Sequence, residues 1–193
     1  MADSVTEKNR DDSAPTSKKL DDLYQLIDGI EVAMFTTRRP DGQLMSRPMA
    51  TQKRLSGTDL WFVTDITSHK LDDLLLDPHV NLAYYNSKSR EWVSVSGTAI
   101  VSQDRDLIEG FYKPDWKAWF PENGNKDTGT SRDPRIALIL VEALSVEYLK
   151  INKPRPVVLF EVAKAMITGS TPSIGKERSL DENELKLKPA GAR

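Results

Sequence analysis

Three short stretches of this 193-residue chain carry residue types that could do chemistry: Ser46-Arg47-Pro48-Met49, Leu60-Trp61-Phe62-Val63-Thr64 and Ser68-His69-Lys70. Arg47 presents a planar fork of donors suited to an oxyanion, and Lys70 supplies a compact, movable positive charge. Thr64 and Ser68 add neutral hydroxyls. Together these four could grip a phosphate. Each also has a plainer reading taken singly: an arginine on a strand is usually solvated, and a lysine in a first helical turn is usually a surface residue. Two details favour the ligand. Pro48 removes a backbone donor, which places its strand at an edge or a bulge, where a side chain can be aimed. A cation in the first turn of a helix opposes the helix dipole, a conflict that a bound anion would relieve.

The aromatic run Lys113-Pro114-Asp115-Trp116-Lys117-Ala118-Trp119-Phe120-Pro121 has two readings. Tryptophans mostly pack in cores or anchor interfaces. The alternative is an apolar flap over a flat ring system, and Trp92 carries the same ambiguity. Other chemistries are set aside. His69 and His79 are the only histidines, ten apart in a chain without cysteine, which does not suit zinc. Asp72, Asp73 and Asp77 read as a solvated helix face. Val93-Ser94-Val95-Ser96-Gly97 lacks the first glycine of a nucleophile elbow. No G-x-G-x-x-G follows a strand, and Gly169 to Lys176 has the wrong spacing for a phosphate loop, so it reads as a turn and tail.

The elements that must hold these residues follow from periodicity. Leu20, Leu23, Tyr24, Ile27 and Ile30 recur at helical steps and give a first helix. Val32 to Thr37 and Gln43 to Thr51 form two strands around Pro40-Asp41-Gly42. Ser56-Gly57-Thr58-Asp59 turns the chain into Leu60 to Thr64. Ser68 to Leu76 is a helix with Leu71, Leu74 and Leu75 inward, stopped by Asp77-Pro78. Val80 to Tyr85 and Glu91 to Ser102 are strands. A helix follows over Asp104 to Phe111, then a mobile loop over Glu122 to Asp133. Ile136 to Glu142 and Ser145 to Ile151 are expected to form a closing hairpin. Val157 to Thr168 reads as a helix because Leu159, Val162, Ala163 and Met166 share a face. Short antiparallel strands with helices at the ends predict a closed or split β-barrel.

The chain is long enough for one domain with a real core. Its formal net charge of −2 gives no basic field for nucleic acid or an anionic membrane. The absence of cysteine excludes a disulfide framework and a thiolate nucleophile. No apolar run is long enough to span a bilayer and the N-terminus does not read as a signal peptide, so a soluble cytoplasmic protein is expected. Residues 1–17 and 171–193 are polar and charged, and are expected to be a disordered N-terminal tail and a flexible C-terminal tail around a domain at 18–170.

With these motifs in order, the chain resembles the flavin-binding split barrels of the pyridoxamine 5'-phosphate oxidase type, above all their general stress protein 26 branch. The likeness is carried by the three stretches above together with Pro78-His79-Val80-Asn81-Leu82-Ala83-Tyr84, Trp92-Val93-Ser94-Val95-Ser96-Gly97-Thr98-Ala99 and Lys117-Ala118-Trp119-Phe120-Pro121. It implies a mainly β fold, a six-stranded antiparallel barrel of Greek-key type with flanking helices. It implies a homodimer with flavin mononucleotide (FMN), or its dinucleotide FAD, at the subunit interface. Carried over by position, Arg47, Pro48 and Met49 would line the phosphate and ring edge. Val63 and Thr64 would meet the ribityl chain or ring, and Ser68, His69 and Lys70 would hold the phosphate. Trp92 would stand near the partner's flavin, with Trp119, Asn123 and Gly124 near a further contact. The implied function is that of a general stress protein acting as a flavin-dependent oxidoreductase, with hydride arriving from a nicotinamide donor or a small reductant. The alternative is a non-catalytic flavin-binding sensor, buffer or partner-binding stress protein. No catalytic acid or base is identified. His69 where the oxidases carry a second basic residue, and a histidine-free end at Lys176 to Arg193, point away from vitamin B6 oxidation itself.

Overall fold

The computed structural model describes residues 4–54 and 59–187. Its elements run α1 (Ser4–Asn9), α2 (Thr16–Ile30), β1 (Val32–Arg38), β2 (Leu44–Ala50), β3 (Leu60–Asp65), α3 (Lys70–Leu76), β4 (His79–Tyr85), β5 (Trp92–Ser102) and α4 (Arg105–Phe111). A 3-10 turn over Pro114–Trp119 follows, then β6 (Ile136–Lys150), α5 (Arg155–Thr168), β7 (Lys176–Leu180) and α6 (Glu182–Lys186). The strands hydrogen-bond in the order β2-β1-β4-β5-β6-β3, and β7 pairs with β6. The expected six strands are therefore present with a seventh added from the C-terminal segment. The predicted closing hairpin is instead one long strand, β6. Ala143 and Leu144 continue its extended course, with Ala143 buried and its amide bonded to Asp59.

Two compact units divide the chain: Met1–Glu31, Leu82–Val95 and Leu144–Ala192 form one, and Val32–Asn81 with Ser96–Ala143 form the other. In the second unit β1 and β2 pair antiparallel, with Phe35 opposite Arg47 and Met34 opposite Pro48. Pro48 thus lies on a strand at the end of the sheet order, where its missing N–H costs no ladder bond. Ala33, Phe35 and Thr37 alternate inward along β1, as a strand with one buried face requires. β3 pairs with the first half of β6. Trp61, Ile108, Trp116, Phe120, Ile136 and Leu138 form a core cluster in which Trp61 and Trp116 meet edge to face, 6.1 Å between centroids. Trp116 therefore takes the packing reading. Gly97 lies so close to β6 that a Cβ would sit 2.2 Å from the Glu142 carbonyl oxygen, so only glycine fits.

The 122–133 segment, expected to be a mobile loop, is laced internally. Asp133 is buried and accepts from the Gly129 amide at 2.7 Å and from Arg135 at 2.7 and 3.1 Å. Those bonds, Arg135 foremost, hold its carboxyl down at about 2.

In the first unit α2 buries Leu20, Leu23, Tyr24, Leu26 and Ile27. The segments on either side of residues 18–170 carry structure of their own. β7 pairs antiparallel with β6, Val146 opposite Leu180. Asn9 of α1 accepts from the amides of Ile174 and Gly175, and Asp11 pairs with Arg178 at 2.8 Å. Asp22, 4% exposed, pairs with Lys150 at 2.6 Å and with Arg178. Polar composition suggested loose tails because the sequence did not show that opposite charges from its two ends would meet. The expected turn at Ser56-Gly57-Thr58 lies outside the described residues, as do residues 1–3 and 188–193 of the expected tails.

Candidate functional site

β1, β2, β3 and the start of α3 collect four of the predicted residues in one place. Arg47 faces inward from β2, and its guanidinium donates to Thr37 Oγ1 at 2.9 Å and to Asp73 Oδ2 at 3.3 Å. Thr37, 1% exposed, donates its own hydroxyl to the same carboxylate at 2.7 Å. Lys70 Nζ lies 2.8 Å from both Thr64 Oγ1 and Ser68 Oγ. The turn between β3 and α3 makes this possible. Asp65 Oδ1 accepts from the Thr67 amide and hydroxyl at 2.8 and 2.7 Å, and the Ser68 amide bonds to the Asp65 carbonyl, so Ser68 and Lys70 are delivered to the end of β3. At seven residues α3 is too short for its dipole to carry the site, and the four side chains do so instead.

The two cations differ in what answers them. Arg47 has a buried carboxylate. Lys70 is half-buried, and among the described residues no carboxylate lies within ion-pair distance of it. Burial pushes the Lys70 ammonium below the usual lysine range and the neighbouring Arg47 charge pushes it further, while Asp65 pulls the other way. The cluster therefore keeps a partly desolvated cation flanked by two hydroxyls and, among the described residues, without a carboxylate at ion-pair distance, which is a donor set suited to an oxyanion such as phosphate.

Other predicted residues stand elsewhere. His69 is directed outward, with its side chain 98% exposed and its ring 3.5 Å from Asp72. Met49 is buried on the same strand face as Arg47, whereas Pro48 is exposed on the other. Val63 is half-buried and packs against the tryptophan core. Trp119 is 79% exposed. Trp92 is half-buried at the start of β5, in the other compact unit. Asn123 accepts from the Thr128 hydroxyl at 2.7 Å, and the Asn123 and Gly124 amides donate to Glu122. Leu75, expected inward, is 82% exposed, while Leu71 and Leu74 are buried as expected.

Sequence reading missed Thr37 and misplaced Asp73, which it took for part of a solvated helix face. Asp73 is 5% exposed and orients Arg47. Asp72 and Asp73 each adjoin a buried leucine, Leu71 and Leu74, so the local sequence carries no signal that separates them.

The family model described as "Pyridoxamine 5'-phosphate oxidase like" matches residues 18–173. Protein bli-3 of Neurospora crassa is 37% identical over 188 residues, spanning 96% of this chain and 90% of that protein. Among solved structures, one assigned to general stress protein 26 from Jannaschia sp. CCS1 superposes with a TM-score of 0.64 at 21% identity, covering 85% of this chain and 98% of that one. The general stress FMN/FAD binding protein of Xanthomonas citri superposes with a TM-score of 0.56 at 22% identity, covering 71% and 92%. The split-barrel fold is common to them.

Proposed function

Since the chain belongs to the pyridoxamine 5'-phosphate oxidase-like family, we propose that it binds a flavin nucleotide by its phosphate, FMN or else FAD, at the contact of two copies, and works as a flavin-dependent oxidoreductase of the stress-response type. The observation that carries this reading is Lys70: a half-buried ammonium whose partners are the hydroxyls of Thr64 and Ser68. The structurally similar Xanthomonas citri protein is an FMN/FAD binding protein, which supports the same choice of ligand.

In this reading Lys70 binds the phosphate directly, and Thr64 and Ser68 orient the ammonium. Arg47 supplies a second donor fork, kept in place by Asp73 and Thr37. Met49, Val63 and the exposed Trp119 offer apolar surface for the rest of the nucleotide, and Trp92 is assigned to the partner's flavin. A bound flavin would supply the redox chemistry, accepting hydride from a nicotinamide donor, while the protein supplies position and electrostatics. One observation favours the second reading, a flavin-binding module without turnover. The cluster holds a guanidinium, an ammonium and a salt-bridged carboxylate but no imidazole, because His69 turns away. Among the described residues no helix is long and apolar enough to cross a membrane.

Calorimetric titration with FMN and with riboflavin tests the phosphate grip. FMN is expected to bind about 10- to 100-fold more tightly, the worth of a charge-assisted contact of roughly 1.5–3 kcal/mol. Equal affinities, or no binding of either, would overturn it. Steady oxidation of a nicotinamide donor by the FMN-loaded protein supports the oxidoreductase; tight binding without turnover supports the module.

A further inference from the structure

α5 spans 14 residues and buries none of them. Pro154 precedes it and Gly169 closes it in the left-handed conformation, φ 67°, so both ends are well defined. The base of the segment is fixed where Lys153 Nζ donates to the carbonyl and hydroxyl of Ser173 at 2.9 and 3.0 Å. At 100° per residue, Leu159, Phe160, Ala163, Met166 and Ile167 fall on one face of the helix, and Arg155, Glu161 and Lys164 fall outside it. Leu159, Phe160, Met166 and Ile167 are 65, 66, 82 and 87% exposed. A helix this short, rich in β-branched residues, gains little stability in water without an apolar partner.

The spacing of that face indicates the partner. Counted from Ala163, the large apolar residues lie at −4, −3, +3 and +4, a pattern that reads the same in reverse. An antiparallel helix related by a two-fold axis through Ala163 would bring Leu159 against Ile167 of the second copy and Phe160 against its Met166. The small Ala163 at the crossing point allows close approach. No charged residue would be trapped in the contact. Completely covered in both copies, these four residues would remove on the order of 1,200 Å² from water, the lower end of the range for a stable specific interface. We propose that α5 is a self-association helix, packed antiparallel against α5 of a second copy of this chain. This rests on the two-copy assembly proposed above and adds where that assembly is held.

The chain has no cysteine, so a single Ala163→Cys substitution in the full-length protein reports directly on the axis. Mild oxidation is expected to give a covalent dimer from Ala163→Cys and not from Lys164→Cys, which lies off the face. Sedimentation velocity over a concentration series is expected to show a wild-type dimer whose Kd rises at least 30-fold in Phe160→Asp or Ile167→Lys. Both positions are exposed, so these variants should keep the wild-type circular dichroism spectrum. A wild-type monomer would overturn the proposal, as would a dimer that neither substitution weakens and Ala163→Cys does not cross-link. Loss of binding to anionic phospholipid vesicles by variants that remain dimeric would overturn it in favour of a membrane surface. FMN titration of the same samples separates the two readings: a cross-linked dimer that binds no FMN keeps the α5 contact and sinks the flavin site, and the reverse result does the opposite.

Discussion

Two charged clusters in this molecule are built from the same residue types and resolve their charges differently. In the clasp between the two ends of the chain, Arg178 meets Asp11 and Asp22, and Lys150 meets Asp22 again. Every cation there has a carboxylate. Arg178 holds the Asp11 carboxyl below the usual range. Burial pushes Asp22 up, but bonds from Lys150, Lys18 and Arg178 outweigh it and leave Asp22 lowered as well. In the β1–β2–β3–α3 cluster Arg47 has Asp73, while among the described residues Lys70 is met by hydroxyls and by no ion-paired carboxylate. A matched network holds a fold together, and removing one member strands the others. An unmatched, half-buried cation is a cost that a ligand can repay. The comparison separates charge that serves structure from charge that awaits a partner. Arg47 is the poorer probe of the two cations, because its removal would strand Asp73.

Asp22→Ala should have the largest effect, because it leaves Arg178 and Lys150 without their shared carboxylate. A loss of about 3–5 kcal/mol is expected by urea denaturation, and a loss below about 1 kcal/mol would mean that the clasp is not a structural network. Lys70→Met sharpens the contrast from the other side. It should leave stability unchanged or slightly raised while weakening FMN about 10- to 100-fold by calorimetry. His69→Ala, whose ring is exposed, should shift the affinity less than about twofold. If Lys70→Met instead unfolds the protein, Lys70 is structural and the contrast dissolves.

The smallest effect is in pH. Asp11 and Asp22 have lowered values in the fold, so their stabilisation is complete above the ordinary carboxylate value of about 4 and fades as pH falls below it. Lys70 is lowered from about 10.5, so its burial costs stability while it is protonated, and that cost disappears as pH rises toward 10.5. FMN affinity should fall across the same alkaline range. Thermal unfolding and FMN titration at paired pH values check both arms: acid should touch stability, whereas alkali should touch affinity while slightly favouring the free fold. Parallel loss of both quantities in alkali would show that Lys70 contributes to stability after all.

The sequence alone was enough for the strands and helices between residues 18 and 135, because periods of two and of about 3.6 are local properties of the chain, but not for the unbroken course of β6 or for the elements at the two ends. It was enough for Pro48 at the sheet edge, since a missing N–H is a covalent fact. It was enough to nominate Arg47, Thr64, Ser68 and Lys70, whose chemistry is fixed by type; Thr64, Ser68 and Lys70 are further confined by their spacing around the end of β3 and the turn that follows it. Pairing over long separations was decided by tertiary structure. Asp72 and Asp73 are chemically identical, and only the docking of α3 beside β1 buries one of them and leaves the other outside. Asp11 and Arg178 are separated by most of the chain, and nothing local says that they meet. Trp116 became core and Trp119 stayed exposed three residues later for the same reason: burial depends on what packs against a residue, and a linear sequence does not contain that neighbour.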